Sequence, residues 1–308
     1  MHTFEQPYYW LIILVLLTFC SSPEEENSTA SGEQSHWKEV EEGHYQWNMG
    51  DVSIGVDSQK GGRISTLKIH GFNLLTGPEV DSINYGSTLW LSPQNLWGWP
   101  PPATLDRQPY RLISAEDSIL HLQSMIDERF GLSFGKRFLP SEQDTSLRIT
   151  YTIHNHTDSV RQYAIWEVTR MHKDSEVLFT LEEENSLRSV KEKFWEINDS
   201  LVVVNITEED TLTNKMYANG QGWLIYLFDS LALIKTFTNL SLDQLPPTHN
   251  EIEVYIDDTA YLEVEQHSPF VKIAPGASYQ WQVLWFPRVM KRADDVQKWI
   301  NKLENGIN

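Results

Sequence analysis

Leu147–Arg148–Ile149–Thr150–Tyr151–Thr152–Ile153–His154 alternates apolar and polar residues along its whole length. Successive side chains of a strand point to opposite faces, so this pattern predicts a strand with one buried and one solvated face. Asn155 to Asp158 then supplies a turn.

The same period recurs on both sides of this stretch. Val52, Ile54 and Val56 alternate with polar or small residues; Gly61–Gly62 breaks the run and Ile64 to Ile69 resumes it. Val202, Val204 and Ile206 alternate, and Trp223 to Phe228 is a continuous apolar run. Ile252, Val254 and Ile256 alternate against Glu251, Glu253 and Tyr255, and Leu262 and Val264 against Tyr261, Glu263 and Glu265. Pro275–Gly276 turns the chain into Trp281, Val283 and Trp285. Helical spacing is confined to the C-terminus. There Ala293, Val296, Trp299, Ile300 and Leu303 predict a helix over about 291–303, with Gly306 as its stop. Many strands without alternating helices predict an all-β chain, a large antiparallel β-sandwich with a short C-terminal helix. No internal repeat of 20 to 50 residues is visible.

The N-terminus carries the longest apolar run, Tyr8 to Phe19, closed by Cys20, the one cysteine of the chain. The run falls short of the ~20 apolar residues of a spanning helix and fits a signal-peptide core. A single cysteine there, followed by Ser21–Ser22–Pro23 and Glu24–Glu25–Glu26, looks like a bacterial lipoprotein signal. The first Lys or Arg is Lys38 and Phe19 is large for a cleavage site, so an ordinary cleaved signal or an N-terminal anchor are the alternatives. The expected organisation is a signal peptide at 1–19, a flexible polar tether at 20–36 and one β-sandwich domain at 37–308. The expected location is the bacterial cell envelope, anchored through a lipid on Cys20.

A net charge of −19 argues against a nucleic-acid partner, whose phosphates it repels. With no cysteine after Cys20, packing must hold the fold together. No Cys/His cluster has zinc spacing, and Gly131 to Arg137 fails as a phosphate loop, because Arg137 stands where Ser or Thr is required. No metal and no cofactor are expected.

Three constellations are candidates for chemistry. Residues 84–106 hold Trp90, Gln94, Trp97, Trp99, Pro100–Pro101–Pro102 and Asp106. This composition fits an aromatic-lined loop over a cleft and, equally, a rigid plug at one end of the sandwich. In Trp166–Glu167–Val168–Thr169–Arg170, alternation places Glu167 and Arg170 on opposite faces unless a bulge intervenes. Tyr261, Glu263, Glu265 and His267 share one strand face. Two carboxylates there, roughly 7 Å apart, would raise each other's pKa if buried and could supply a general base; a solvated strand face is the alternative.

In order along the chain, these segments resemble the galactose mutarotase-like (aldose 1-epimerase-like) superfamily. Gly61–Gly62–Arg63–Ile64 with His70–Gly71–Phe72–Asn73–Leu74–Leu75 resembles its opening hairpin, and Tyr151 to Thr157 its tyrosine-x-isoleucine-x-asparagine-x-serine/threonine strand. Tyr261 to Glu265, Ala274–Pro275–Gly276 and Trp281 to Trp285 resemble its closing strands. Trp90–Leu91–Ser92–Pro93–Gln94 and Trp166 to Arg170 are similar to an uncharacterised bacterial branch, a domain-of-unknown-function family. The resemblance implies a concave sugar-binding face. In epimerases of this type a late-strand glutamate takes the anomeric hydroxyl proton and a histidine protonates the ring oxygen. Glu263 or Glu265 is the expected carboxylate, but Trp166–Glu167–Val168 replaces the His-Pro-Tyr-Phe segment that carries the histidine. The expectation is a carbohydrate-binding protein with catalysis lost or altered. Substrate contacts are expected from Trp90, Gln94, Trp97, Trp99, Asp106, Glu167 and Arg170. An aldose isomerase with a rearranged acid and a structural envelope lipoprotein are the alternatives.

Overall fold

The computed structural model describes residues 36–116, 118–182, 186–191, 193–207, 213–258, 260–291 and 293–305. The expected signal peptide, Cys20 and all of the expected tether but His36 lie outside the described residues.

The stretch Ser146–Asn155 is a strand with Leu147, Ile149, Tyr151 and Ile153 buried and Arg148 exposed, as the alternation predicts. It pairs antiparallel with Leu132–Ser141 on one side and Ser278–Val289 on the other. Leu147, Ile149 and Tyr151 stand opposite Trp285, Val283 and Trp281. Directly opposed residues share a face, so these side chains form one inner apolar layer. Burying each such aliphatic side chain contributes about 1.5–3 kcal/mol.

Two sheets build the sandwich, one of ten strands containing this trio and one of twelve. Every described strand pairing is antiparallel, as expected of an antiparallel sandwich. Three strands lie side by side within the larger sheet: Ser87–Ser92, Arg161–Met171 and Leu262–His267. The first and third are buried at every position. One face of these strands meets the second sheet and the other floors a cleft. They therefore carry polar residues on both faces without being solvated.

Asn155 explains the tyrosine-x-isoleucine-x-asparagine strand physically. Its Nδ2 donates to the carbonyls of Ser159, Ile273 and Ala274, and its Oδ1 accepts from the Thr157 amide and hydroxyl. One side chain thus ties the turn after its strand to the closing strands. Gly61 adopts φ 75°, and a Cβ there would overlap the Asp106 carbonyl, so the opening hairpin docks directly on the end of the tryptophan-rich loop. The C-terminal helix spans Ala293–Glu304, close to the expected bounds, with Ile300 and Leu303 buried and Trp299 against Phe286 at 5.7 Å. Asp294 and Asp295 in its first turn and Lys302 in its last complement the helix dipole.

Candidate functional site

Pairing register builds the site from four strands. Val168 stands beside Glu265, Glu265 beside Glu253, and Glu253 beside Tyr217. One step along, Arg170, Glu263, Tyr255 and Lys215 form a parallel row. Tyr217 of the first row and Glu263, Tyr255 and Lys215 of the second line a cleft of about 420 Å³, while Val168, Arg170, Glu253 and Glu265 are buried behind it. Trp90, Trp99 and Trp166 line one part of it, with polar groups including Asp81, Asn84, Gln94, Lys215, His249 and Glu263. That volume is in the usual range for a small-molecule site.

The tryptophan-rich loop is both a wall and a plug. Trp90 packs edge-on against Trp99 at 5.8 Å and Trp166 at 5.1 Å. Trp99 is 60% exposed at the cleft. Trp97 is buried and donates to the Leu91 carbonyl at 2.8 Å, so it seals the loop rather than lining the cleft. Asp106 is also buried outside the lining, where it accepts the Trp90 indole N–H at 2.7 Å and fixes that ring. The expected direct contacts from Trp97 and Asp106 are therefore corrected to supporting ones.

Glu167 requires a larger correction. No bulge interrupts the register of Trp166 to Met171, so Glu167 points between the sheets. There it accepts from Lys235 Nζ at 2.7 Å, Tyr151 Oη at 2.7 Å and Trp285 Nε1 at 3.2 Å. Lys235 also donates to Thr169 and Gln266, and all these residues are buried. It is an internal polar network with no access to the cleft.

On the cleft side Arg170 Nε donates to Glu263 Oε1 at 2.9 Å and Nη1 to Thr88 Oγ1 at 2.9 Å, with the guanidinium over the Trp90 ring. Arg170 Nη2 is buried with no hydrogen-bond partner among the described residues. Glu263 is almost buried and lines the cleft. Glu265 is fully buried beneath it, accepting from Trp166 Nε1 at 2.7 Å and Lys215 Nζ at 3.0 Å. The face carrying both carboxylates is therefore not the solvated surface that was the alternative.

Lys215 sits between two carboxylates, 2.6 Å from Glu253 Oε2 and 3.0 Å from Glu265 Oε2. Burial works against the Lys215 charge, but Glu253 and Glu265 outweigh it and push its pKa up. Burial also opposes charge on Glu253, and Lys215 and His267 outweigh it, holding this carboxyl well below its usual range. Glu265 goes the other way, to about 8, because burial and the repulsion of Glu253 and Glu263 exceed the pull of Lys215. Burial pushes His267 down to about 4.

Glu253 further contacts two imidazoles, His249 Nδ1 at 2.9 Å and His267 Nε2 at 3.3 Å. His267 stacks on Trp166 at 5.1 Å. Lys215, Tyr217, His249, Glu253 and Tyr255 were not singled out from sequence. The alternation of Glu253 and Tyr255 against Ile252, Val254 and Ile256 carried part of the signal.

Residues 77–288 match the family model described as Domain of unknown function (DUF4380). The chain belongs to the DUF4380 family. No curated protein matches it in sequence. Among solved structures, this DUF4380 chain is similar to a TPR-domain containing protein from Parabacteroides distasonis, with 11% identity and TM-score 0.58. That match covers 79% of this chain and 46% of the other, so the DUF4380 chain spans about half the length of that relative. A candidate aldose 1-epimerase from Escherichia coli K12 shares 14% identity at TM-score 0.56, covering 80% of this chain and 99% of that one. A galactose mutarotase-like protein from Lactobacillus casei shares 11% identity at TM-score 0.57, covering 80% and 100%. These likenesses establish the galactose mutarotase-like fold of the DUF4380 chain.

Proposed function

We propose that the cleft binds a carbohydrate, and that the protein does so as a lipid-anchored component of the bacterial cell envelope, with epimerase catalysis lost or altered. The observation that carries the reading is the cleft lining: the Trp90, Trp99 and Trp166 rings face the same space as Asp81, Asn84, Gln94, Lys215 and Glu263. Sugar C–H faces pack on aromatic surfaces while hydroxyls require placed donors and acceptors. The cleft carboxylate of Glu263, held by the buried Arg170 guanidinium, adds such a group. A glycan-array screen on the protein tests this, followed by calorimetry of any hit against Trp99→Ala. Absence of glycan binding, or binding indifferent to Trp99, overturns it.

The anchoring proposal rests on Cys20 closing the apolar run. Replacing Cys20 with Ser should move the protein out of the membrane fraction and change its mass; an unchanged fraction and mass refute it.

Turnover of an aldose is the second reading, favoured by Glu263 lining the cleft beside the Arg170 guanidinium. Polarimetry with freshly dissolved α-glucose and α-galactose separates the two. A rate above buffer that Glu263→Gln abolishes establishes turnover.

A further inference from the structure

The residues behind the cleft wall carry a second kind of site. We propose that His249, Glu253 and His267 bind a divalent transition-metal cation, of which Zn²⁺ is the best suited, at the edge of the cleft. One ligand atom from each residue lies within 4.8 Å of the others. Glu253 Oε1 is 2.9 Å from His249 Nδ1 and 3.3 Å from His267 Nε2. A tetrahedral ion with bonds of 2.0–2.1 Å sets its ligand atoms about 3.3 Å apart, close to this spacing. Two imidazoles and one carboxylate also form a donor set used by catalytic zinc sites, with coordination left open for a further ligand.

The second observation is His267 itself. Its side chain is fully buried; Nδ1 has no hydrogen-bond partner among the described residues, and the contact of Nε2 is Glu253 Oε1 at 3.3 Å. A buried imidazole held by one long contact to a carboxylate is under-satisfied, and buried polar groups are rarely so. An ion between Nε2 and the Glu253 carboxylate accounts for this.

Glu253 and Glu265 share Lys215, and Glu265 Oε1 has no hydrogen-bond partner among the described residues. Lys215 on Glu253 Oε2 and the stacking of Trp166 on His267 hold two of the ligands in place from outside the cluster. Fold register explains why the spacing is hard to see in the chain. Glu253 lies opposite Glu265, which puts His267 on the diagonal, while His249 enters from the loop four residues before Glu253. His249 also lines the cleft, so a bound ion sits next to the space assigned to the ligand.

Without metal the same atoms make a proton-bearing chain. The Gln94 amide approaches His249 Nε2 at 3.5 Å, leaving Nδ1–H to donate to Glu253. Metal on Nδ1 displaces that proton to Nε2. The two arrangements predict different chemistry, and the inference stands independently of what the cleft binds.

The test uses the purified protein stripped with chelator, with no sugar present. Calorimetry with Zn²⁺ should give one equivalent bound, and Co²⁺ should give visible absorption bands of a low-coordinate imidazole site together with quenching of tryptophan fluorescence. His267→Gln and Glu253→Gln should each weaken Zn²⁺ binding by at least 100-fold. His249→Gln, at the cleft edge, does the same and guards against loss of fold in the two buried variants. No Zn²⁺ binding up to millimolar concentration overturns the proposal in favour of the hydrogen-bonded chain. So does Zn²⁺ binding of equal strength in wild type and His249→Gln.

Discussion

Glu167 and Arg170, three residues apart on one strand, serve opposite sides of the larger sheet. Glu167 holds the Lys235 ammonium at 2.7 Å between the sheets, and Arg170 holds Glu263 at 2.9 Å on the cleft floor. The first pair is wholly buried, so its ionic attraction offsets a large desolvation cost and neither partner is dispensable alone.

Removing one partner of that interior pair leaves an uncompensated charge. Glu167→Gln or Lys235→Met is expected to cost about 3–5 kcal/mol of stability, as for other broken buried pairs. The double change should cost less than the sum of the singles, because both charges leave together. Urea unfolding of the three variants checks this, and additive losses would show that the two groups are not coupled.

Trp97 and Trp99 separate packing from recognition. Trp97→Ala removes a buried ring and is expected to cost about 3–5 kcal/mol. Trp99, 60% exposed, should change stability by well under 1 kcal/mol when cut to Ala, yet weaken any cleft ligand. Thermal melts and calorimetry on the same two proteins check both halves; the idea fails if Trp99→Ala unfolds the protein or leaves binding intact.

The part of this architecture legible in sequence follows from solvation. Leu147 to His154 has one dry face and one partly solvated face that exposes Arg148, so hydropathy alternates and the strand is plain. Ser87–Ser92 and Leu262–His267 are buried on both faces, so only chemical identity distinguishes their sides. Parity correctly grouped Glu263, Glu265 and His267. It also separated Glu167 from Arg170, yet it could not say which face met the second sheet, and so Glu167 was placed among the substrate contacts. Lys215, His249 and Glu253 join the site through strand register, and alternation within single strands carries no information about pairing between them. The same limit hid the metal-like spacing of His249, Glu253 and His267.

Glu263 and Glu265 should behave differently when neutralised. Glu263→Gln leaves the buried Arg170 guanidinium without its ion pair and is expected to weaken ligand binding and stability together. Glu265→Gln, fully buried with Trp166 and Lys215 on it, acts on stability first. Binding isotherms and unfolding curves on both variants check this, and equal effects on binding with none on stability would show that both carboxylates touch the ligand.

Lys136 supplies a pH test away from the cleft. Its ammonium is fully buried and donates to the Gly61 and Gly62 carbonyls at 2.8 and 3.2 Å. Burial pushes its pKa down to about 7; Asp106 and Glu167 pull it up and Arg63 pushes it further down. The unfolded chain keeps the ordinary lysine value of about 10.4. Below pH 7 both states are charged, and the folded state bears the full cost of the buried ammonium. Between pH 7 and about 10 the unfolded state binds more protons, so this contribution to stability rises with pH. The full span is at most about 5 kcal/mol, at 1.36 kcal/mol per pKa unit. Lys136→Met removes the titration. The stability of wild type relative to Lys136→Met should therefore climb by several kcal/mol from pH 7 to pH 10, measured by urea unfolding at each pH. A difference that stays flat across that window would mean Lys136 is charged throughout in the folded protein, with Asp106 and Glu167 outweighing its burial.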